Sequence, residues 1–325
     1  MRAIVIKQYG GPDSLALEER PQPEPESGKV VIAVKAFGVN HAETHMRQGN
    51  WPEINEISGI ECVGLVSADP DGHFSPGQKV VAFMGGMGRS IGGSYAEFTR
   101  VPVSNVVAIQ SGLPWEDLAA IPESYATAWT CLNANLSIAA GQVLVIRGAT
   151  SALGQAALNM ASQIGTRVIA TTRNKQRIAG LEALGAEEVA IEGADLSRHV
   201  RARYAEGVDA VLDLVGNTTI LDSLSMTRRG GHVCEAGWLG GLAPIAAFNP
   251  MLQMPSGVHY SLFGSFMFGQ PGFPVLEVPM QAIVDRAASG TYKAKPARVF
   301  GFEQIRDAHR LMEAGEAGGK IVVRL

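Results

Sequence analysis

Between about Ser124 and Gly264 the sequence alternates short apolar runs with helical stretches. VLVIR precedes LGQAALNMASQIG, RVIATT precedes KQRIAGLEALG, and EVAIE, DAVLDLVG and HVCEAG follow at similar intervals. Strands separated by helices of this length pair in parallel, through right-handed crossovers that place helices on both faces of one sheet. The spacing therefore predicts an α/β fold with a doubly wound parallel sheet.

Residues 143–154, VLVIRGATSALG, fall where such a sheet binds a dinucleotide, yet only one glycine of the G-x-G-x-x-G fingerprint is in register. The physical requirement is a tight turn, small residues against the pyrophosphate and free N–H groups at a helix start. Gly148, Ala149, Ser151 and Ala152 are small, Thr150 and Ser151 add hydroxyls, and Gly154, after Leu153, permits close helix–strand packing. An ordinary strand–turn–helix carries similar text. The next strand separates the readings. Its tip, about 20 residues on, reads TTRNKQR, with Thr172, Arg173, Lys175 and Arg177 and no acid. A carboxylate there would bind the ribose hydroxyls of NAD, whereas arginine suits the 2′-phosphate of NADP(H). A solvated helix start accounts for Lys175 better than for Arg173. Val215, Gly216, Ala236, Gly237 and Trp238 end later strands, where ligands of open α/β sheets gather.

The flanking text differs. From Met1 to about Ile121, KVVIAVKAFGV, ECVGLVSA, QKVVAFM, YAEFTRVP and NVVAI read as short strands of an irregular barrel or sandwich, and SYATAWTCLNAN reads as a linking helix. After Ser265, VPMQAIVDRAASG and FEQIRDAHRLMEAG are amphipathic helices before a closing strand, KIVVRL. A net charge of −4 weighs against nucleic-acid and membrane-surface binding. Three scattered cysteines with no C-x-x-C, and a start without a signal-peptide core, make the cytoplasm the expected compartment.

In this order, FGVNHAETHMRQG, SGIECVGLV, FSPGQKVVAF, GGSYAEF, AAIPESYATAW, IRGATSALG, DLVG, CEAG and GGKIVV resemble the medium-chain dehydrogenase/reductase superfamily, in its zinc-independent quinone oxidoreductase (zeta-crystallin-like) branch. The resemblance covers nearly the whole chain. It implies a GroES-like catalytic domain over 1–123 and 265–325, a Rossmann NADP-binding domain over 124–264, and an active site in the cleft between them. Zinc members carry Cys where this chain has Asn40, His where it has Ile60, and often a four-Cys lobe, whereas residues 84–98 hold no Cys. Glu61 and Glu123 remain as carboxylates, and His41 and His45 are spaced one helical turn apart, but zinc prefers about three His, Cys or carboxylate ligands. No metal is expected.

The resemblance also implies that the Asn40 amide donates to a carbonyl oxygen, and that Thr127 lies close to the nicotinamide. His45 and Trp51 stand where some bacterial relatives have pocket tyrosines: Trp51 keeps an aromatic face, and His45 adds a titratable donor. Other roles stay open, with Asn40 as a helix cap, His45 on the surface, Trp51 in the core and Thr127 bonded to its own helix. Residues 260–266, with Leu262 and Phe263, resemble the family's nicotinamide-side strand, and the apolar edge near 258–268 points to a homodimer. The expected partner is a small quinone or α,β-unsaturated carbonyl. An enal, enone or enoyl-thioester reductase and a non-enzymatic NADPH-binding protein are the alternatives.

Overall fold

The computed structural model describes residues 1–325. The chain divides into two compact units, Met1–Ala126 with Phe266–Leu325, and Thr127–Ser265. The boundaries expected after residues 123 and 264 fall slightly later, the first of them inside the helix Pro122–Thr130.

The second unit is built on a six-stranded, wholly parallel sheet. Across it run Glu188–Ile191, Arg167–Thr172, Val143–Arg147, Val208–Asp213, Thr227–Glu235 and His259–Leu262. Numbered by chain order within the sheet this is 3-2-1-4-5-6, the doubly wound arrangement whose direction reverses between strands 1 and 4. Val145, Val211 and Val233 from neighbouring strands pack against Ile220 and Leu224 in one apolar core. Helix Ala152–Ile164 starts where the Ser151 hydroxyl accepts the Gly154 N–H at 3.0 Å, and it ends at Gly165 with φ 90°.

At the carboxyl end of Val143–Arg147 the apolar run closes on a buried charge. The Arg147 guanidinium is fully buried, ion-paired with Glu192 and, at 2.8 Å, with Asp222. Glu192 also accepts from the Thr171 hydroxyl at 2.8 Å, and that hydroxyl accepts the Gly148 N–H at 3.2 Å. A chain of hydrogen bonds therefore runs from the ion pair to the turn that follows the strand.

Three elements differ from the sequence reading. The helix over SYATAWTCLNAN changes pitch after Thr130 into a π-helical turn, Cys131–Asn135. KQRIAGLEALG splits into a 3-10 turn, Lys175–Arg177, and a short helix, Ile178–Ala183. YSLFGSF stays extended only to Leu262, because its partner strand ends at Glu235, whose carbonyl takes the Phe263 N–H at 2.9 Å.

In the first unit a seven-stranded sheet runs in the order Arg298–Gly301, Ile321–Arg324, Lys29–Val39, Glu61–Ala68, Lys79–Phe83 and Val106–Ala108, with Phe98–Pro102 also pairing Lys29–Val39. The carboxyl-terminal segment completes this core: Phe302, Ile305, Ile321 and Val323 pack with Ile32, Phe37, Cys62 and Tyr95. Register pairs Ile321 with Val39, which brings Lys320 next to Asn40. No helix is long and apolar enough to cross a membrane.

Candidate functional site

Asn40 follows the strand Lys29–Val39 and precedes the helix His41–Arg47. Glu61 opens the adjacent strand, and both Glu61 and Lys320 are buried. The Lys320 ammonium pairs with Glu61 Oε1 and donates to Asn40 Oδ1 at 2.6 Å and Ser124 Oγ at 3.2 Å. Its three donors thus meet three oxygens. Asn40 Nδ2 donates to Glu61 Oε1 at 3.0 Å, and Glu61 Oε2 accepts the Glu123 N–H at 2.9 Å. Gly38 lies under this pair: a Cβ there would overlap Glu61 Oε1 and the Lys320 side chain.

These residues do not fit zinc. Ile60 offers no ligand atom, and the Asn40 and Glu61 oxygens already face a buried ammonium, so a dication would meet like charge.

Glu43, fully buried one turn into the helix, accepts the Asn40 N–H at 2.7 Å, the Ile60 N–H at 3.1 Å and Asn40 Nδ2 at 3.4 Å. Burial pushes its carboxyl up to about 7, against the pull of its own backbone N–H, of Lys320 and of the Ile60 N–H. Asn40 is therefore in the capping position, but its carboxamide is tied to Glu61 and Lys320.

One turn further on, His45 meets Trp51 edge-on, with ring centroids 6.4 Å apart. His45 Nδ1 is buried without a hydrogen-bond partner, and burial lowers the ring's pKa below the ordinary imidazole value. On Trp51 lies a residue the sequence reading passed over, Arg89, whose guanidinium carbon is 5.4 Å from the ring centroid.

In the second unit the turn after Val143–Arg147 meets the loop after Val208–Asp213. Gly148 has φ 76°, and a Cβ on it would lie 2.9 Å from Leu239 Cδ1 and 3.2 Å from Leu214 Cβ. A Cβ on Gly154 would lie 2.5 Å from Gly148 O. Two glycines thus let backbone, helix and loop converge. Ser151 takes the Gly154 N–H, and the earlier amides of that first turn have no intrahelical acceptor. Such a cradle of small residues and open N–H groups fits a pyrophosphate. Beyond the neighbouring strand Arg173 is exposed and Arg177 half-buried. The Thr172 hydroxyl is turned inward, accepting the Asn174 N–H at 3.1 Å. Val215, Gly216, Ala236, Gly237 and Trp238 line the carboxyl edge of the same sheet, Phe263 is buried, and Leu262 is exposed on the outermost strand. Thr127 is buried within its helix.

Sequence reasoning missed Lys320, Ser124, Glu43 and Arg89. The signal for Lys320 was a lone lysine opening the apolar run KIVV, and for Glu43 the N-x-x-E spacing of a helix start. Nothing local marked Ser124 or Arg89.

Residues 26–111 match the family model described as alcohol dehydrogenase GroES-like domain, and residues 184–323 the one described as zinc-binding dehydrogenase. The chain is 26% identical to a quinone oxidoreductase of Lama guanicoe, over 100% of this chain and 98% of that protein. It is 28% identical to a quinone oxidoreductase of Rattus norvegicus, over 82% of this chain and 81% of that one. Among solved structures, a mycobacterial protein complexed with NADPH has a TM-score of 0.87 and 26% identity, with 100% of each chain covered.

The buried Glu43 makes stability depend on pH. Its folded-state pKa of about 7 lies above its ordinary 4.5, so the folded chain keeps a proton that the unfolded chain loses. That contribution is full below about pH 4.5 and is lost as pH rises through about 7. Between pH 5 and 8 the native protein should lose about 2 kcal/mol of unfolding free energy relative to Glu43→Gln, read by urea denaturation. Parallel pH profiles for the two proteins would contradict this.

Proposed function

The chain belongs to the medium-chain dehydrogenase/reductase superfamily, in its zinc-independent quinone oxidoreductase branch, and on that premise we propose that it transfers hydride from NADPH to a quinone or related conjugated carbonyl. The observation that carries this reading is the Asn40 cluster. It offers an amide donor held by a buried cation, at a place where the metal enzymes of the superfamily need ligands this chain lacks.

NADPH, when bound, supplies the hydride. Gly148, Ala149, Thr150, Ser151, Ala152, Leu153 and Gly154 hold the pyrophosphate, and Arg173 and Arg177, beside Thr172, hold the 2′-phosphate. In the second unit Val215, Gly216, Ala236, Gly237, Trp238, Leu262 and Phe263, with Thr127, are assigned to the nicotinamide side. The substrate oxygen is met by Asn40. Its Nδ2–H toward Glu43 spans 3.4 Å, the long limit of a hydrogen bond, and is the more weakly engaged of the two, the one a substrate oxygen can share. Lys320 fixes the carboxamide oxygen, so the amide presents nitrogen rather than oxygen. His45 and Trp51 border the substrate with a neutral imidazole and a flat face. Reduction of a quinone leaves a resonance-stabilised oxyanion, which a hydrogen-bond donor is enough to stabilise. Reduction of an enal or enone uses the same donor.

Two finer statements belong to this proposal. The strand His259–Leu262 is the outer edge of its sheet, with Tyr260 and Leu262 exposed, which supports a homodimer joined along that edge. Light scattering at micromolar concentration should give twice the chain mass; a monomer mass rejects it. Cys62 and Cys234 are buried thiols outside any disulfide, which supports a cytoplasmic location; recovery outside the cytoplasmic fraction of its native cells would reject it.

Initial rates with NADPH and NADH across quinones and enals test the activity. We expect turnover with kcat/KM favouring NADPH by about tenfold or more, and Arg173→Ala removing most of that preference. Equal use of the two nucleotides would contradict the cofactor assignment. Nucleotide binding without turnover on any substrate would favour the non-enzymatic alternative.

A further inference from the structure

Arg89 sits in the loop after the strand Lys79–Phe83, and its guanidinium lies over two aromatic rings. Its central carbon is 5.4 Å from the Trp51 centroid and 5.7 Å from the Phe266 centroid. A guanidinium lying over aromatic rings keeps its N–H edge for hydrogen bonding. That edge is unused: Arg89 has neither an ion pair nor a hydrogen bond within the chain, and its Nε is buried. Across Trp51 the buried His45 Nδ1 also lacks a partner. Buried polar atoms without partners are costly, and each calls for a structural reason such as a ligand that completes it.

The loop is built to hold this arginine. Gly86 and Gly88 have φ of 90° and 73°, and the Arg89 and Ile91 N–H groups both donate to Gly86 O, at 3.0 and 3.1 Å. A Cβ on Gly88 would lie 3.2 Å from Gly59 N and from Met46 Sδ. Met46 belongs to the helix that Asn40 caps and that carries His45. Arg89 is thus tied, through backbone packing, to the element that presents the carbonyl-binding amide.

From this arrangement we infer that Arg89, with Trp51 and Phe266, forms a subsite for a carboxylate borne on a flat conjugated substrate. The inference deepens the function proposed above by naming the substrate class: an acidic aromatic or conjugated carbonyl compound rather than a neutral quinone. Planar guanidinium meets planar carboxylate through two parallel N–H···O bonds, whereas a quinone oxygen engages one. The two rings supply the flat walls, and the His45 ring, held toward its neutral form, adds a hydrogen-bonding edge without a second charge.

Direct binding tests this without turnover or nucleotide. Calorimetry would compare 2-naphthoate with 2-naphthamide, a neutral ligand of nearly the same shape, on the native protein, Arg89→Met and Arg89→Lys. We expect the native protein to favour the carboxylate by about tenfold or more, Arg89→Met to abolish that preference, and Arg89→Lys to retain part of it. Equal affinities in the native protein, binding of neither ligand, or a preference that survives in Arg89→Met would overturn the inference. Circular dichroism of the variants verifies that they are folded, and NADPH affinity measured on the same preparations tests the cofactor assignment separately.

Discussion

The Lys320–Glu61 ion pair is the interaction on which the first unit depends. It joins residues 259 positions apart, and it closes the sheet by seating the last strand beside Lys29–Val39. Removing two charges from water is costly, and the pair holds only because other polar groups complete it. Ser124 Oγ and Asn40 Oδ1 take the remaining ammonium hydrogens, while the Glu123 N–H and Asn40 Nδ2 satisfy Glu61. The side chain of Asn40 therefore has one permitted orientation. The role proposed for Asn40 requires that: a donor to developing charge must be fixed before the substrate arrives.

The second unit applies the same physics to a different end. Its ion pair, Arg147 with Glu192 and Asp222, lies beneath the turn at Gly148 and reaches it through Thr171. The small residues of GATSALG let the backbone approach a phosphate, and the buried network beneath them supplies the rigidity that small side chains cannot. In both units, then, a buried cation is used to position a polar element and is not itself presented to the ligand.

What was legible in the sequence follows from the range of each interaction. Strand–helix alternation and its consequence, a doubly wound parallel sheet, could be read because the period of side-chain burial is local. The positions of Arg173 and Arg177 in TTRNKQR were readable too, since their distance from the glycine turn is set by one crossover. The cluster at Asn40 was half readable. Asn40 drew attention as a position where a metal ligand stands in similar enzymes, and Glu61 as a carboxylate that remains beside it, but their partner Lys320 is brought in by strand register and not by any spacing along the chain. Arg89 was invisible for another reason: its placement over Trp51 and Phe266 depends on two left-handed glycines in a loop whose path no periodicity dictates. Arg147 looked like the polar end of an apolar strand, and only its partners on two later segments make it a buried structural charge. The strand near 260 was drawn too long because a run of apolar residues does not reveal where the neighbouring strand stops.

The central claim is that the buried ammonium orients the Asn40 amide, and steady-state kinetics of Lys320→Met together with the charge-balanced pair Lys320→Met/Glu61→Gln tests it most directly. The double substitution removes the orphaned carboxylate that would otherwise unfold the single variant. The account predicts that the double variant folds and binds NADPH as the native chain does, yet loses about tenfold or more in kcat, because the amide is no longer held. A double variant with native kcat would contradict it.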